Sequence, residues 1–173
     1  MTVDTRDGSA ALALATAFAG AVATESHGQT VVYVNAADWH PAVVMLRADH
    51  GYSMAVDITA VDHLGEQDRA TIDGVTPLRY EVVANFLNLE ANRRIRLIAP
   101  IDGEVPSIAS LADLYPGLHN PEREVFDLLG ISFEGHPELT RILLPDEWVG
   151  APLRKDAASA RIPVTFKAPG GGQ

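Results

Sequence analysis

The chain has 173 residues, a formal charge of −10 and no cysteine. That length fits one domain with a tail, and a globule of this size buries about 70% of the surface its unfolded chain exposes. The missing cysteine excludes a disulfide framework, a thiolate nucleophile and Cys-ligated zinc or iron–sulfur centres within the chain, and the acid excess argues against a nucleic-acid partner, which demands a basic stripe.

Residues 8–24 (GSAALALATAFAGAVAT) are uncharged and rich in alanine. A secretory signal needs a basic leader, but Asp4 and Asp7 outweigh Arg6. A spanning helix needs about 20 strongly apolar residues. The run therefore predicts a first helix docking through Leu12, Leu14, Phe18 and Val22, in a cytosolic protein that meets a membrane only through a partner. Residues 29–34 (QTVVYV) are β-branched and aromatic and predict a strand. Asp38 fits a helix N-cap, Pro41 suits the first turn, Val43, Val44 and Leu46 supply an apolar side, and Gly51 is the expected stop.

Residues 54–62 (MAVDITAVD) predict a strand with Met54, Val56, Ile58 and Ala60 on one face. Residues 65–77 are polar and turn-rich and predict a loop. Residues 79–89 predict a long strand, with Tyr80, Val82, Ala84 and Phe86 facing one way and Val83, Leu87 and Leu89 the other, as in a strand covered on both sides. Residues 94–98 alternate, with Ile95 and Leu97 inward. The short link at 90–93 makes these two strands an antiparallel hairpin. Pro100 and Pro106 are expected to end that region. Residues 107–114 (SIASLADL) carry a Ser cap and place Ile108, Leu111 and Leu114 at helical spacing, which predicts a helix.

Residues 120–130 (NPEREVFDLLG) predict another helix, with Asn120 as N-cap, Pro121 at the first position and Gly130 just past the end. Val125, Phe126, Leu128 and Leu129 share one arc, with Glu122 inside it and Arg123 and Asp127 opposite. A carboxylate inside an apolar arc sits at the exposed helix mouth or binds a partner group, because burying it unpaired is costly. Glu122 and Glu124 together suit either the helix dipole or, in an enzymatic reading, general acid/base work. Residues 131–156 mix large apolar side chains with Gly135, Pro137, Pro145, Gly150 and Pro152. Such a segment cannot satisfy its own backbone and must lie along another surface, either its own sheet or a different polypeptide. Past Asp156 the pattern fades into Pro169 and a glycine run, the composition of a flexible end. None of the six histidines pairs with another at one-turn spacing on a predicted helix, and His136 stands in a Gly-His-Pro turn.

The blocks Glu122-Arg123-Glu124, Asp127 to Ile131, Phe133-Glu134-Gly135-His136-Pro137, Arg141-Ile142-Leu143 and Pro152-Leu153-Arg154-Lys155-Asp156 resemble, in order and spacing, one family signature. It is that of the thirty-kilodalton (C-type) subunit of the respiratory complex I type NADH:quinone oxidoreductases. Upstream, residues 57–62, Tyr80 to Val83 and Arg94 to Leu97 agree more loosely. Tyr115 and Asn120 stand where the family often has tryptophan, and the continuation after Asp156 departs from the family pattern.

The resemblance implies a peripheral-arm subunit without a redox centre, in a proton-translocating complex on the cytoplasmic side of the cell membrane. NADH, FMN, the iron–sulfur (Fe-S) clusters and quinone would belong to the complex and none to this chain. Its implied partners are the large (D-type) quinone-site subunit and other peripheral-arm subunits, with the membrane arm reached through the complex. Related subunits occur in membrane-bound hydrogenases and coenzyme F420-linked dehydrogenases. The rival classes are a free-standing carboxylate-dependent enzyme and a transient assembly adaptor. The expected fold is α+β: helices on a mixed, mostly antiparallel sheet, with an extended C-terminal arm. Residues 1–106 are expected to form the core domain, 107–156 a helix plus partner-binding arm, and 157–173 a flexible tail. Glu122, Arg123, Glu124, Asp127, His136, Arg141, Trp148, Arg154, Lys155 and Asp156 are expected to hold the arm and its partner together.

Overall fold

A strand rich in apolar residues lies inside a five-stranded sheet, with a strand on either side of it. In β4 (Tyr80–Asn88), Tyr80, Val82, Ala84 and Phe86 are fully buried on one face. The computed structural model describes residues 8–66 and 68–157, so the expected flexible tail lies outside the described residues except for Ala157. As predicted, β4 forms an antiparallel hairpin with β5 (Arg93–Ile101), setting Phe86 opposite Ile95 and Ala84 opposite Leu97. On its other side β4 pairs antiparallel with β3 (Met54–Asp62). A second hairpin joins β1 (Val22–Ser26) to β2 (Gln29–Tyr33). Its two-residue turn, His27-Gly28, has positive φ at both positions, the backbone that a tight hairpin of this kind requires. The strand β2 then pairs parallel with β5, giving the order β1-β2-β5-β4-β3. The sheet is mixed and mostly antiparallel, as expected.

Two helices cover the buried face. In α1 (Gly8–Ala17), Ala10, Ala11 and Leu14 are buried. In α2 (Trp39–His50), Trp39, Ala42, Val43 and Leu46 are buried, and Gly51 closes the helix in the left-handed conformation. Three details depart from expectation here. The first helix ends at Ala17, and Val22 opens β1; Leu12 is exposed, and the small Ala10 and Ala11 make the close approach instead. Asp38 gives no side-chain cap, because a 3-10 turn over Ala36–Asp38 runs straight into α2 and leaves Asp38 already helical. In β3 a bulge leaves Val56 without a cross-strand partner. The face therefore switches: Met54 and Val56 are exposed, whereas Ile58 is buried and Ala55 and Ala60 pack on the core.

Two expectations fail outright. Pro100 does not end its strand but pairs with Glu81 inside β5, which is possible because β2 stops pairing at Ile98 and frees that side of the ladder. Residues 107–114 form no helix. Ser107–Ala109 is a short strand, β6, parallel to β7 (Ser132–Glu134). Ser110 and Leu111 then turn away, held by hydrogen bonds to Glu122. The helical spacing of Ile108, Leu111 and Leu114 reflects burial from a strand and a turn. The last helix, α3 (His119–Leu129), follows a 3-10 turn at Pro116–Leu118. Asn120 is consequently its second residue and not its cap. Gly130 ends it in the left-handed conformation, as predicted.

Candidate functional site

The helix α3 carries its functional side chains on two faces. Glu122, Val125 and Leu129 turn toward the core, whereas Asp127 points the other way. Asp127 is nevertheless fully buried, because residues 140–144 fold over it. Its Oδ1 accepts from Arg141 Nη1 at 2.6 Å. Its Oδ2 accepts the backbone N–H groups of Ile142, Leu143 and Leu144 at 3.1, 2.8 and 2.9 Å. Burial alone would raise this carboxyl. The hydrogen bonds from Leu144 N–H and Arg141, joined by those of Leu143 and Ile142, outweigh it and hold the pKa at about 2. Arg141 spends its second nitrogen on the carbonyls of Trp148 and Gly150, at 2.8 and 3.1 Å. Arg123 grips the same stretch through the carbonyls of Thr140 and Arg141.

A second carboxylate fastens the far end. Asp62, the last residue of β3, accepts both Nε and Nη2 of Arg79 at 3.0 and 2.9 Å, together with the backbone N–H of Lys155 at 2.9 Å. Burial pushes it up, but the Arg79 fork and the N–H groups of Lys155 and Leu64 prevail and hold it at about 2. Arg79 also meets Asp156 at 2.8 Å, and both Arg79 and Arg154 lie over the Tyr80 ring, at 4.7 and 5.6 Å from its centre. The Lys155 ammonium pairs with Glu66, whose other oxygen lies 2.7 Å from His63 Nδ1. Leu153 N–H donates to the Leu128 carbonyl at 2.9 Å and ties this end of the arm to α3.

Glu122 and His136 anchor the elements from which the arm hangs. Glu122 is fully buried and accepts from Ser110 Oγ at 2.5 Å and Leu111 N–H at 2.7 Å. Burial pushes its carboxyl up, against the pull of those two donors. A raised carboxyl stabilises the fold fully below its ordinary value of 4.5, and that contribution is lost as pH rises. Glu122→Gln keeps an acceptor for Leu111 and should hold stability within about 1 kcal/mol at pH 7, with a flatter decline as pH rises above 4.5 than the parent chain. Glu122→Ala should cost about 1–3 kcal/mol, because Leu111 N–H is left unpaired. Denaturant midpoints across that range decide the matter; a Gln variant as damaged as Ala would rule out this role. His136 Nε2 lies 3.0 Å from the His119 carbonyl and Nδ1 accepts Glu138 N–H at 3.1 Å, which assigns the proton to Nε2. It links the turn after β7 to the start of α3.

The residues expected at a partner interface thus separate by use. Glu122, Arg123, Asp127, His136, Arg141, Arg154, Lys155 and Asp156 all bind within the chain. Glu124 is exposed and its side chain makes no hydrogen bond or ion pair among the described residues. Trp148 makes hydrogen bonds only through its backbone among the described residues, and it is 39% exposed. Sequence reasoning missed Asp62, Arg79, Glu66 and His63. The available signal was their position: they close the two strand ends that flank the polar 65–77 loop. Outside its anchors the arm shows apolar side chains to solvent: Leu143 is 60% exposed, Val149 92% and Leu153 59%. Among the described residues no cluster of His, Asp and Glu is placed to hold a metal, and no helix is long and apolar enough to cross a membrane.

Comparison with known proteins accords with this arrangement. Residues 32–162 match the family model of the respiratory-chain NADH dehydrogenase 30 kDa subunit. The chain is 42% identical over 141 aligned positions to the C-type subunit of NADH-quinone oxidoreductase from Bordetella pertussis, covering 77% of this chain and 68% of that protein. It is 36% identical over 184 aligned positions to the counterpart from Xanthomonas euvesicatoria pv. vesicatoria, covering 83% and 73%. Among solved structures, the trypsin-resistant fragment (1-134) of Nqo5 superposes with a TM-score of 0.64 at 26% identity, covering 80% of this chain and all of that one. A chain of the membrane-bound sulfane sulfur reductase, an archaeal respiratory membrane complex, shares the fold with a TM-score of 0.67 at 22% identity, covering 85% and 82%. The family match runs from β2 through both anchored ends of the arm, and the chain belongs to the family of the respiratory-chain NADH dehydrogenase 30 kDa subunit.

Proposed function

We propose that the chain works as a structural subunit whose anchored arm docks on the large quinone-site subunit, holding the peripheral arm of the complex together without moving electrons itself. Family membership and the relatives described above make the chain a peripheral subunit of a complex I type NADH-quinone oxidoreductase. The docking role is supported by one observation above all. The arm is fixed from behind by two buried carboxylates, yet presents Leu143, Val149 and Leu153 outward. Fixing an irregular segment before it meets a partner lowers the entropy cost of binding. Exposed apolar side chains on such a support are what an interface core uses. In this reading NADH, FMN, the iron–sulfur clusters and quinone reside in other subunits, and the chain reaches the cytoplasmic face of the membrane through them. The absence of cysteine accords with a chain that ligates no cluster through thiolates.

The test is a double substitution, Leu143→Asp with Val149→Asp, in the chain expressed in its native membranes. Both side chains are exposed, so the purified variant should unfold at the parent temperature. Its recovery in the solubilised complex on a native gel should fall at least about tenfold, the equivalent of about 1.4 kcal/mol, and NADH-driven quinone reduction should fall with it. Full recovery with unchanged activity would remove the arm from the interface.

A further inference from the structure

The arm sorts its charges by sign. Over residues 138–156 the cations are Arg141, Arg154 and Lys155. Each is spent within the chain: Arg141 on Asp127, Arg154 on Asp156 and the Glu104 carbonyl, Lys155 on Glu66. The acids divide differently. Asp156 answers Arg79, but Glu138, Asp146 and Glu147 are exposed, and their side chains have no hydrogen bond or ion pair among the described residues. Glu124 of α3, in the same state, lines the same small cleft as Leu153.

These acids border the outward apolar side chains. Asp146 and Glu147 occupy the middle of a turn closed by Trp148 N–H on the Pro145 carbonyl at 3.0 Å, with Leu143 before it and Val149 after it. Arg141 fixes that turn from behind through the carbonyls of Trp148 and Gly150. The arm thus presents an apolar centre and a negative border, with no unpaired cation among its described residues. A border of one sign selects by repulsion as much as by attraction. A second copy of this chain, at a formal charge of −10 and with the same border, is repelled. So is a membrane surface of anionic lipid. Interfaces match an apolar core with a complementary rim, and the complement of this one is apolar with Lys and Arg around it.

We propose that the arm docks on a basic surface, where Lys and Arg of the neighbouring subunit pair with Glu124, Glu138, Asp146 and Glu147. This rests on reading the arm as a docking surface, and the test separates the two. The complex is solubilised from native membranes and treated with a carbodiimide, which joins a carboxylate directly to a lysine it touches, and the products are mapped by mass spectrometry. The expected result is a cross-link from one or more of these acids to a lysine of another subunit. Asp146→Lys with Glu147→Lys should lower recovery of the chain in the complex at least about tenfold, and Asp146→Asn with Glu147→Gln should fall between it and the parent. Both positions are exposed and their side chains unpaired, so the purified variants should unfold at the parent temperature. Glu25→Lys with Glu90→Lys makes the same change of net charge at exposed positions outside the arm and should leave recovery unchanged. Parent-like recovery of the charge-reversed arm would overturn the proposal. So would an equal loss in the Glu25 and Glu90 control, which would assign the effect to net charge. A cross-link from these acids to Lys167 alone would give them to the chain's own C-terminal segment and overturn it too. In each case the arm reading stands if Leu143→Asp with Val149→Asp still loses the complex. If that apolar pair is retained while the charge-reversed arm is lost and cross-links to another subunit form, the basic contact stands and the apolar reading of the arm fails.

Discussion

Asp127→Ala should cost the isolated chain about 3–5 kcal/mol and release the arm from α3. The magnitude follows from what the side chain serves. One buried carboxylate neutralises Arg141 and receives three successive backbone N–H groups. Its loss strands a guanidinium and three donors in a covered site, and each orphaned donor carries its own desolvation cost. Asp127→Asn separates charge from hydrogen bonding. Its single oxygen can still accept the three N–H groups, but its amide nitrogen then opposes Arg141, donor against donor. The Asn variant should therefore fall between the parent and Ala. Chemical denaturation reads the stability, and trypsin cleavage after Arg141 reads the release of the arm. Parent-like stability and parent-like resistance in Asp127→Ala would show that the arm is held elsewhere.

Asp62→Ala should act at the other anchor with a smaller cost, about 1–3 kcal/mol, because Asp156 stays beside Arg79 but the Lys155 N–H is left unpaired. The first sign should be cleavage after Arg154 and Lys155, with the stretch around Arg141 still protected. The two anchors also make the fold acid-sensitive. Each carboxyl is held at about 2 in the folded chain against an ordinary value of 3.8. A depressed carboxyl stabilises the fold above its unfolded pKa and loses that contribution as pH falls through the folded value. The loss should therefore run from near pH 4 down to near pH 2, at roughly 2 kcal/mol for each anchor. Asp62→Ala should lose about half of this dependence. A variant whose acid unfolding curve keeps the full slope of the parent would rule out the linkage.

Much of the framework is legible in the sequence because local and global signals agree. The β4–β5 hairpin alternates cleanly, and Gly51 and Gly130 end helices where the pattern of apolar residues stops. Residues 107–114 mislead because three apolar residues at helical spacing are equally well buried by a strand followed by a turn. What decides the outcome is where the backbone N–H groups go: that of Ser110 to the Glu134 carbonyl of β7 and that of Leu111 to the Glu122 carboxylate, in place of the bonds a helix there would have required. The strand β3 misleads for a related reason: one unpaired residue, Val56, reverses the faces of everything before it, and no periodicity announces a bulge. The charged signature residues are legible as a set. Their partners are not, because Asp62 and Asp127 are satisfied by backbone N–H groups that any residue supplies. Asp127 looks solvent-facing on a helical wheel, and only the fold-back of residues 140–144 buries it.

That manner of fastening bears on how the arm can change. Asp127 reads the N–H groups of residues 142–144, Asp62 reads that of Lys155, and Arg123 and Arg141 read carbonyls. None of these grips depends on which side chains the gripped residues bear. Outward positions such as Leu143 and Val149 are therefore at liberty to drift in step with whatever opposes them, while the path of the chain beneath stays put.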